Sequence, residues 1–464
     1  MRLHIVWFRD DFRVGDNPTL NAAAHQADAL LCVAVREQAC LGHTWGGTPA
    51  HPPLPFERRS ARRLATWQQA TAGLHQQLGC LGQALHVVDS VQAIAQLVHT
   101  LVQVNSTDKD RTNVQVRVFT QRIPAPFEQA DVQALREAIT VDLVEIDSAD
   151  LLQGDALAFG HTDTLQKLPS VFTAFRQQVE RAGMPVRPLV PTPTQLPPMP
   201  QGPQGPIGLA TPEQAHNPVA DLQLPEQFNA GLQVSERAGQ AHLQWYFSDQ
   251  KAHHYKASRN GLMRGKTYGV GYATKLSPWL AKGCVSPSMV WQALKAFEQT
   301  HGASNSSYWI GFELLWREHF RWLQKRYGHA MYRAKGLTDA GAPTPPPFKQ
   351  QRTLFERWRT GQTDHAFVNA GMRELALTGY VSNRMRQILA SYWLNTYKGD
   401  WRIGAAWFEH ALIDFDAMSN TGNWLYIAGL GSDPKGGRAF DVDWQANTYD
   451  ADGVYTRRWA QAKL

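Results

Sequence analysis

Cysteine is scarce: four in 464 residues, scattered as Cys32, Cys40, Cys80 and Cys284. That is too few for a disulfide framework, and Cys284 alone in the second half leaves a cysteine-held iron–sulfur cluster without ligands there. No apolar run reaches the length of about eighteen residues that a membrane-spanning helix needs, so no membrane association is expected. The opening residues, MRLHIVWFRDD, carry charges where a secretory signal needs an apolar stretch, so the chain reads as cytoplasmic. No HExxH, paired CxxC or GxSxG occurs, which removes zinc hydrolysis and serine-nucleophile chemistry, and no metal site is expected.

What is present is unevenly distributed. Residues 1–232 hold 17 Lys and Arg against 22 Asp and Glu, while residues 233–464 hold 29 against 18. Tryptophan divides the same way, with three of 16 before residue 233 and 13 after it. Cationic charge with interleaved aromatics suits a nucleic-acid face, because phosphates want cations and bases want flat rings. A Trp-rich helical core under a solvated basic surface accounts for the same composition.

Short apolar runs recur in the first 146 residues: LHIVW (3–7), ALLCVAV (29–35), ALHVV (84–88), VQVRVF (114–119) and VDLVEI (141–146). Amphipathic stretches such as 57–78 and 91–104 separate them, which predicts a Rossmann-like α/β domain over 1–146 with a parallel sheet covered on both faces. No GxGxxG opens its first helix, so an NAD-type site is not supported. Residues 147–212 read as a linker, and 185–212 carry ten of the 27 prolines, a composition that predicts an extended connector without helix or sheet ladders. From 213 to 464 the apolar spacing is helical, which predicts a large all-α domain.

Four segments of that second domain carry candidate chemistry. In YATKLSPWLAKG (272–283), Ser277 before Pro278 predicts an N-cap, and Thr274, Lys275 and the free N–H groups would suit an anion. A capped surface helix fits the segment equally well. In GFELLWREHFRW (311–322), Glu313, Trp316, Arg317 and Phe320 share one helical face, which suits a pocket for a polar, aromatic ligand. An intrahelical Glu–Arg pair beside a half-buried Trp is the plainer alternative. TGYVSNRMRQ (378–387) puts Asn383, Arg386 and Gln387 on one face with Arg384 turned aside. LIDFDAMSNTGNWLY (412–426) gathers Asp414, Asp416, Asn420, Asn423, Trp424 and Tyr426, without the Gly and final Glu of a calcium loop.

Together with WFRDDFRVGDNPTL (7–20), TKLSPWLAKG, ELLWRE, SNRMRQ, DWRIGAAWFEHALIDFD and NTGNWLY resemble, in chain order, the photolyase/cryptochrome flavoproteins. LPSVFTAFRQQVE, YKASRNG and FELLWRE are similar to the DASH-type cryptochromes within them. The resemblance implies FAD in the helical domain. Tyr255, Thr274, Lys275, Leu276 and Ser277 would hold its phosphates, and Arg317 and Asn383 would line its pocket. Arg386 would pair with Asp414, Asp414 and Asp416 would contact the ring or ribose, and Asn420 would face the flavin. It also implies blue-light repair of cyclobutane pyrimidine dimers, with Glu313 hydrogen-bonding the dimer, Trp316 stacking on it, and Arg259 and Arg384 gripping DNA phosphates. Trp424 and Trp401 match the family's electron relay. Its distal Trp is not found, and Arg352 stands in the segment expected to hold it. A folate antenna (methenyltetrahydrofolate) is implied near QRIPAPFEQAD (121–131), where Glu128 is kept while Ile123 and Phe127 stand at usual acid positions.

Gln387, Tyr426 and Tyr380 replace the apolar or indole side chains of duplex-acting relatives. Each swap reads as a more polar dimer pocket, so repair is expected preferentially in single-stranded DNA. Asn383 stands where (6-4) photolyases carry a His. The competing reading is a blue-light photoreceptor signalling through partners, and a flavin-containing nucleic-acid binder without photochemistry is the third. A monomer is expected, and the match reaches about residue 459 of 464, so no long signalling tail is expected.

Overall fold

The structure is a computed structural model, and it describes residues 1–37, 54–106, 114–202, 205–206, 210–212, 232–262, 273–338, 346–433 and 435–461. Cys40 and the expected boundary segment 213–231 lie outside these residues. Strands β1 (Arg2–Phe8), β2 (Ala29–Val35), β3 (Leu85–Val88), β4 (Gln115–Gln121) and β5 (Asp142–Ile146) form one parallel sheet, in the order β3-β2-β1-β4-β5. Each follows one of the apolar runs. The central β1 pairs Leu3 with Ala29 on one side and with Val116 on the other.

Helices α1 (Pro18–Ala24), α2 (Ala61–Gly79), α3 (Val91–Ser106) and α4 (Pro126–Ala138) alternate with the strands. Side chains alternate across β1 because the strand period is two. Leu3, Ile5 and Trp7 meet Ile94 and Val98 of α3 and Val132 and Leu135 of α4. Val6 and Phe8 face Leu20, Trp67 and Leu74 in a core that continues into the second domain. Burial of each such aliphatic side chain contributes about 1.5–3 kcal/mol, which is why both faces are covered. Asn17 and Ser60 start α1 and α2 by accepting from Leu20 N and Arg63 N.

The loop between β1 and α1 is stitched to the rest of the chain. The Glu236 carboxylate accepts from Val14 N and Gly15 N (2.7 and 2.9 Å), and Arg13 donates to Gly283 O at 2.8 Å. Asp16 binds Arg187 and Ser286. Gly283 sits at φ +62, and a Cβ there would lie 2.0 Å from Asp10 O, so the seam between the first motif and TKLSPWLAKG requires glycine.

The linker returns over the sheet, with Leu30 N donating to Pro198 O and Val87 N to Ala210 O. It carries α5 (Phe172–Arg181). Contrary to the expectation from its prolines, Gln201–Gly202 and Gly205–Pro206 pair in a two-strand antiparallel ladder. Proline forbids only its own N–H bond, and its carbonyl still accepts.

The second domain begins with α6 (Glu236–Phe247), α7 (Tyr255–Ser258), α8 (Ser277–Ala281), α9 (Pro287–His301) and α10 (Asn305–Tyr327). It continues through α11 (Phe348–Arg359), α12 (Ala366–Thr378), α13 (Asn383–Ser391), α14 (Trp401–Ala411), α15 (Ala417–Ala428), α16 (Val442–Tyr449) and α17 (Val454–Ala460). Ser304 and Ser307 form a reciprocal capping box that starts α10. Among the described residues, no helix is long and apolar enough to cross a membrane.

His319 of α10 is buried against Phe172, Phe175 and Trp316, with Nε2 on Pro169 O. Burial pulls its pKa from 6.5 down to about 4. The folded chain therefore keeps it neutral while the unfolded chain takes up a proton below pH 6.5. Stability falls as pH drops from 6.5 toward 4, by up to about 3 kcal/mol from this group. Urea melts at pH 7 and pH 4.5 check it: His319→Phe should lose less stability on acidification than the parent.

Candidate functional site

Helix α10 supplies one wall of a cavity of about 450 Å³, a size suited to a large ligand. Glu313, Trp316, Arg317 and Phe320 all line it, so the shared face read from spacing is real. The plainer Glu–Arg pair is absent, because Glu313 Oε1 lies 2.5 Å from Arg259 Nη1. Burial pushes the Glu313 carboxyl up, and Arg259 draws it partly back. Trp316 stacks on Phe172 with centroids 3.7 Å apart and planes 8° apart. Arg317 donates to Ala149 O at 3.0 Å and stands 4.0 Å from Asp416.

The facing walls come from four other segments. Tyr255 and Asn260 line the cavity beside Arg259, and Thr274, Leu276 and Ser277 lie before and at the start of α8. Burial, with Glu313 nearby, pushes the Tyr255 phenol up. Asn383, Arg384, Arg386 and Gln387 come from the first turn and a half of α13. Asp414, Asp416, Asn423 and Tyr426 complete the wall. Arg386 meets Asp414 at 2.8 Å, the pairing the resemblance implies. Asp416 accepts from Ser419 N and so starts α15. A smaller adjoining cavity of about 90 Å³ holds Asn420 and Trp424 beside Asn383 and Asp414. Asn420 donates to Ala405 O at 3.1 Å. Trp401 is buried, with its indole N–H on Ala334 O.

Four expectations change. Ser277 is the first residue of α8 and not its N-cap, which is Leu276 without a side-chain bond. The helix is five residues long, so its dipole is slight, and any anion there would rest on side chains. Lys275 does not line the cavity. At φ +58 it turns inward, its ammonium 4.7 Å over the Tyr380 ring, and burial pulls its pKa down to about 7. Tyr380 lies behind the wall between Lys275 and Arg386, so it adds no polarity to the pocket, whereas Gln387 and Tyr426 do line it. Arg384 is not turned aside: it lines the cavity with Asn383, Arg386 and Gln387 and reaches Asn260, a partner on another segment that helical spacing alone does not supply.

Two participants have no counterpart in the sequence reading. Trp309 lines the cavity under the Arg259 guanidinium at 4.2 Å, and its position four residues before Glu313 on α10 was a usable signal. Phe172 comes from the linker segment LPSVFTAFRQQVE, whose resemblance to the DASH type marks the segment but gives the ring no role.

Between the two domains lies a second cavity of about 400 Å³, lined by Arg9, Glu37, Arg58, Arg63, Ile123 and Glu128 among others. Glu128 Oε2 and Arg9 Nη1 are buried there without hydrogen-bond partners among the described residues. Arg58 covers the Phe127 ring at 4.1 Å.

Residues 4–200 match the family model for DNA photolyase, and residues 309–462 match that for the FAD binding domain of DNA photolyase. The chain is 35% identical over 462 residues to the Cryptochrome DASH of Vibrio parahaemolyticus, covering 99% of this chain and 93% of the relative. It is 34% identical over 462 residues to that of Synechocystis, covering 98% and 86%. A solved Synechocystis cryptochrome superposes with a TM-score of 0.83 at 32% identity, over 99% of this chain and 88% of that one.

FAD is therefore the cofactor of the helical domain, and the cavity fits it. Asp414 Oδ1 is buried without a hydrogen-bond partner among the described residues, an acceptor suited to a ring N–H, while Arg386 holds its other oxygen. With the two family models matched in turn along the chain and relatives of 34–35% identity covered to 86% and 93% of their own length, the chain belongs to the photolyase/cryptochrome family and is similar to its DASH-type cryptochromes.

Proposed function

We propose that the protein repairs cyclobutane pyrimidine dimers under blue light, preferentially in single-stranded DNA. The observation that carries this is one cavity shared by a flavin-type wall, Asp414 with Arg386, and a substrate-type wall, Glu313 with Trp316. When bound, reduced FAD supplies the electron that splits the dimer.

The chain's own residues do the rest. Glu313, its carboxyl pushed up by burial and drawn partly back by Arg259, stands where it can hydrogen-bond the dimer and help stabilise charge arriving there. Phe172 fixes one face of Trp316, so the indole is oriented before any base arrives. Arg259 and Arg384, both half-buried at the same cavity, suit the phosphates flanking a flipped nucleotide. Flipping costs a few kcal/mol from duplex and less from a single strand. With Gln387 and the Arg438-bonded Tyr426 in place of apolar walls, less burial energy is available to meet that cost.

The second cavity is proposed to hold an antenna, methenyltetrahydrofolate. Glu128 offers an unpaired acceptor for a pterin amino group, and Arg9, Arg58 and Arg63 suit the glutamate tail. An absorption band near the ultraviolet edge, separate from the flavin bands and reduced in Glu128→Ala, is the expected result for the purified protein.

Weakening the Arg386–Asp414 pair should loosen the flavin. Arg386→Leu should raise the flavin Kd at least about tenfold, read by fluorescence titration of released cofactor. For repair itself, the reduced protein is illuminated with dimer-containing oligonucleotides and restored thymines are counted. Single strands should be repaired at least about tenfold faster than duplex, and Glu313→Ala should lower repair by about 10- to 100-fold with FAD retained. Equal repair of both substrates overturns the strand preference. No restored thymine in either favours the photoreceptor that signals through partners.

A further inference from the structure

We propose that the Arg259–Glu313 ion pair is a latch opened by a DNA phosphate. The phosphate takes the guanidinium, and the freed carboxylate takes one proton from solution and turns its O–H toward the dimer. This latch presupposes the repair reading and describes how the same cavity is made ready for its substrate. Among the described residues lining the cavity, four guanidiniums meet three carboxylates. Arg386 meets Asp414 at 2.8 Å, Arg317 stands 4.0 Å from Asp416, and Arg259 lies 2.5 Å from Glu313. Arg384 has none of the three and donates instead to Asn260 Oδ1 at 3.3 Å. The cavity thus carries one positive charge more than its own carboxylates match, and an anion is the ligand that balances it.

The two guanidiniums beside Asn260 are seated alike, on aromatic rings. Arg259 Cζ lies 4.2 Å from the Trp309 ring centroid, and Arg384 Cζ lies 5.2 Å from that of Tyr449 and 5.7 Å from that of Phe440. They stand close enough to repel: burial pulls the Arg384 pKa down, and the Arg259 charge adds to that. A phosphate between them relieves the repulsion and offers both a strong acceptor. A ring face attracts a cation without fixing its direction, so the Arg259 guanidinium can turn from carboxylate to phosphate while still resting on Trp309. Phe312 backs Trp309, with centroids 4.2 Å apart, and holds the indole in place. The exposed Lys256, 5.9 Å from the same ring, adds to the pull on an approaching strand.

What the latch achieves follows from charge. Held by Arg259, the Glu313 carboxylate repels an electron arriving on the dimer and has no proton to donate. Burial already pushes this carboxyl up and Arg259 draws it back, so loss of the guanidinium favours the neutral acid. Charge and atoms balance: one phosphate charge enters, one proton from water follows onto Glu313, and Arg259 stays a cation throughout. Of the groups that face Glu313 across the cavity, the Tyr255 phenol is pushed up by burial and stays neutral, and Arg384 is a cation. Asp414 and Asp416 are tied to Arg386 and Arg317. Lys275, pulled down to about 7 by burial, lies behind Tyr380 and outside the cavity.

The test uses the FAD-loaded, oxidised protein in the dark, with single-stranded thymine oligonucleotides carrying one dimer or none. Calorimetry in two buffers of different ionisation enthalpy counts the protons taken up on binding across about pH 5–8. Difference infrared spectra read the carbonyl band of a protonated carboxyl. The parent should take up about one proton per complex at the maximum and gain the band, and its Kd should rise with pH by up to about tenfold per unit. Glu313→Gln should lose the uptake, the band and that pH dependence, while Lys275 is present in both proteins. Arg259→Leu should show the band before any DNA is added, which a merely structural role for Arg259 does not produce. If Arg259→Leu does not fold, the isosteric Glu313→Gln decides alone. Binding by the parent without proton uptake, or parent-like uptake in Glu313→Gln, overturns the proposal. The undamaged strand brings phosphates without a dimer, so the latch is read even where illumination of the reduced complex restores no thymine, and failure of the latch is told apart from failure of the repair reading.

Discussion

The Glu318 carboxylate accepts from Leu151 N at 2.9 Å, Leu152 N at 3.1 Å and the Trp322 indole at 3.0 Å, all out of contact with solvent. One and two turns on, Arg321 and Lys325 both bind Asp150. Burial opposes the Asp150 charge, but these two cations outweigh it and hold its carboxyl below the usual range. Removing one partner of such a buried group costs about 3–5 kcal/mol, because the other is left charged and unpaired. The start of the linker is thereby fastened to the second half of α10, and that fastening sets where the rest of the linker goes.

The site depends on the same helix viewed from its other side. Once residues 149–152 are fixed against α10, α5 follows and lays Phe172 flat on Trp316. Arg317 links the two functions: one guanidinium nitrogen binds the linker at Ala149 O while another approaches Asp416 at the cavity. The cavity's position is therefore set by ionic and hydrogen-bonded contacts in a dry layer, where geometry is narrow and slippage is costly.

What the sequence disclosed follows the range of each signal. The five strands were legible because apolar runs and turns are local, and the face of α10 was legible because helical spacing is local. The pairing of Arg386 with Asp414, 28 positions apart, came only from motif resemblance. Phe172 on Trp316, Lys275 over Tyr380 and the backbone of Leu276 that takes the cap from Ser277 are contacts or backbone angles set by tertiary packing. No local pattern encodes them. Tyr380 is the clearest case: its place in a motif suggested a pocket wall, yet packing against two cations put it one layer behind.

The loop between β1 and α1 has a consequence for the order of assembly. All five strands have been synthesised by Ile146, so the sheet can pair early. Val14 N and Gly15 N, however, await Glu236, Asp16 awaits Arg187 and Ser286, and Arg13 awaits Gly283. A nascent chain emerging from the ribosome thus carries all five strands of the sheet with one polar corner left unpaired until the start of α9 has been made. That corner couples completion of the first domain to arrival of the second, and it makes the first domain a poor candidate for an independent folding unit.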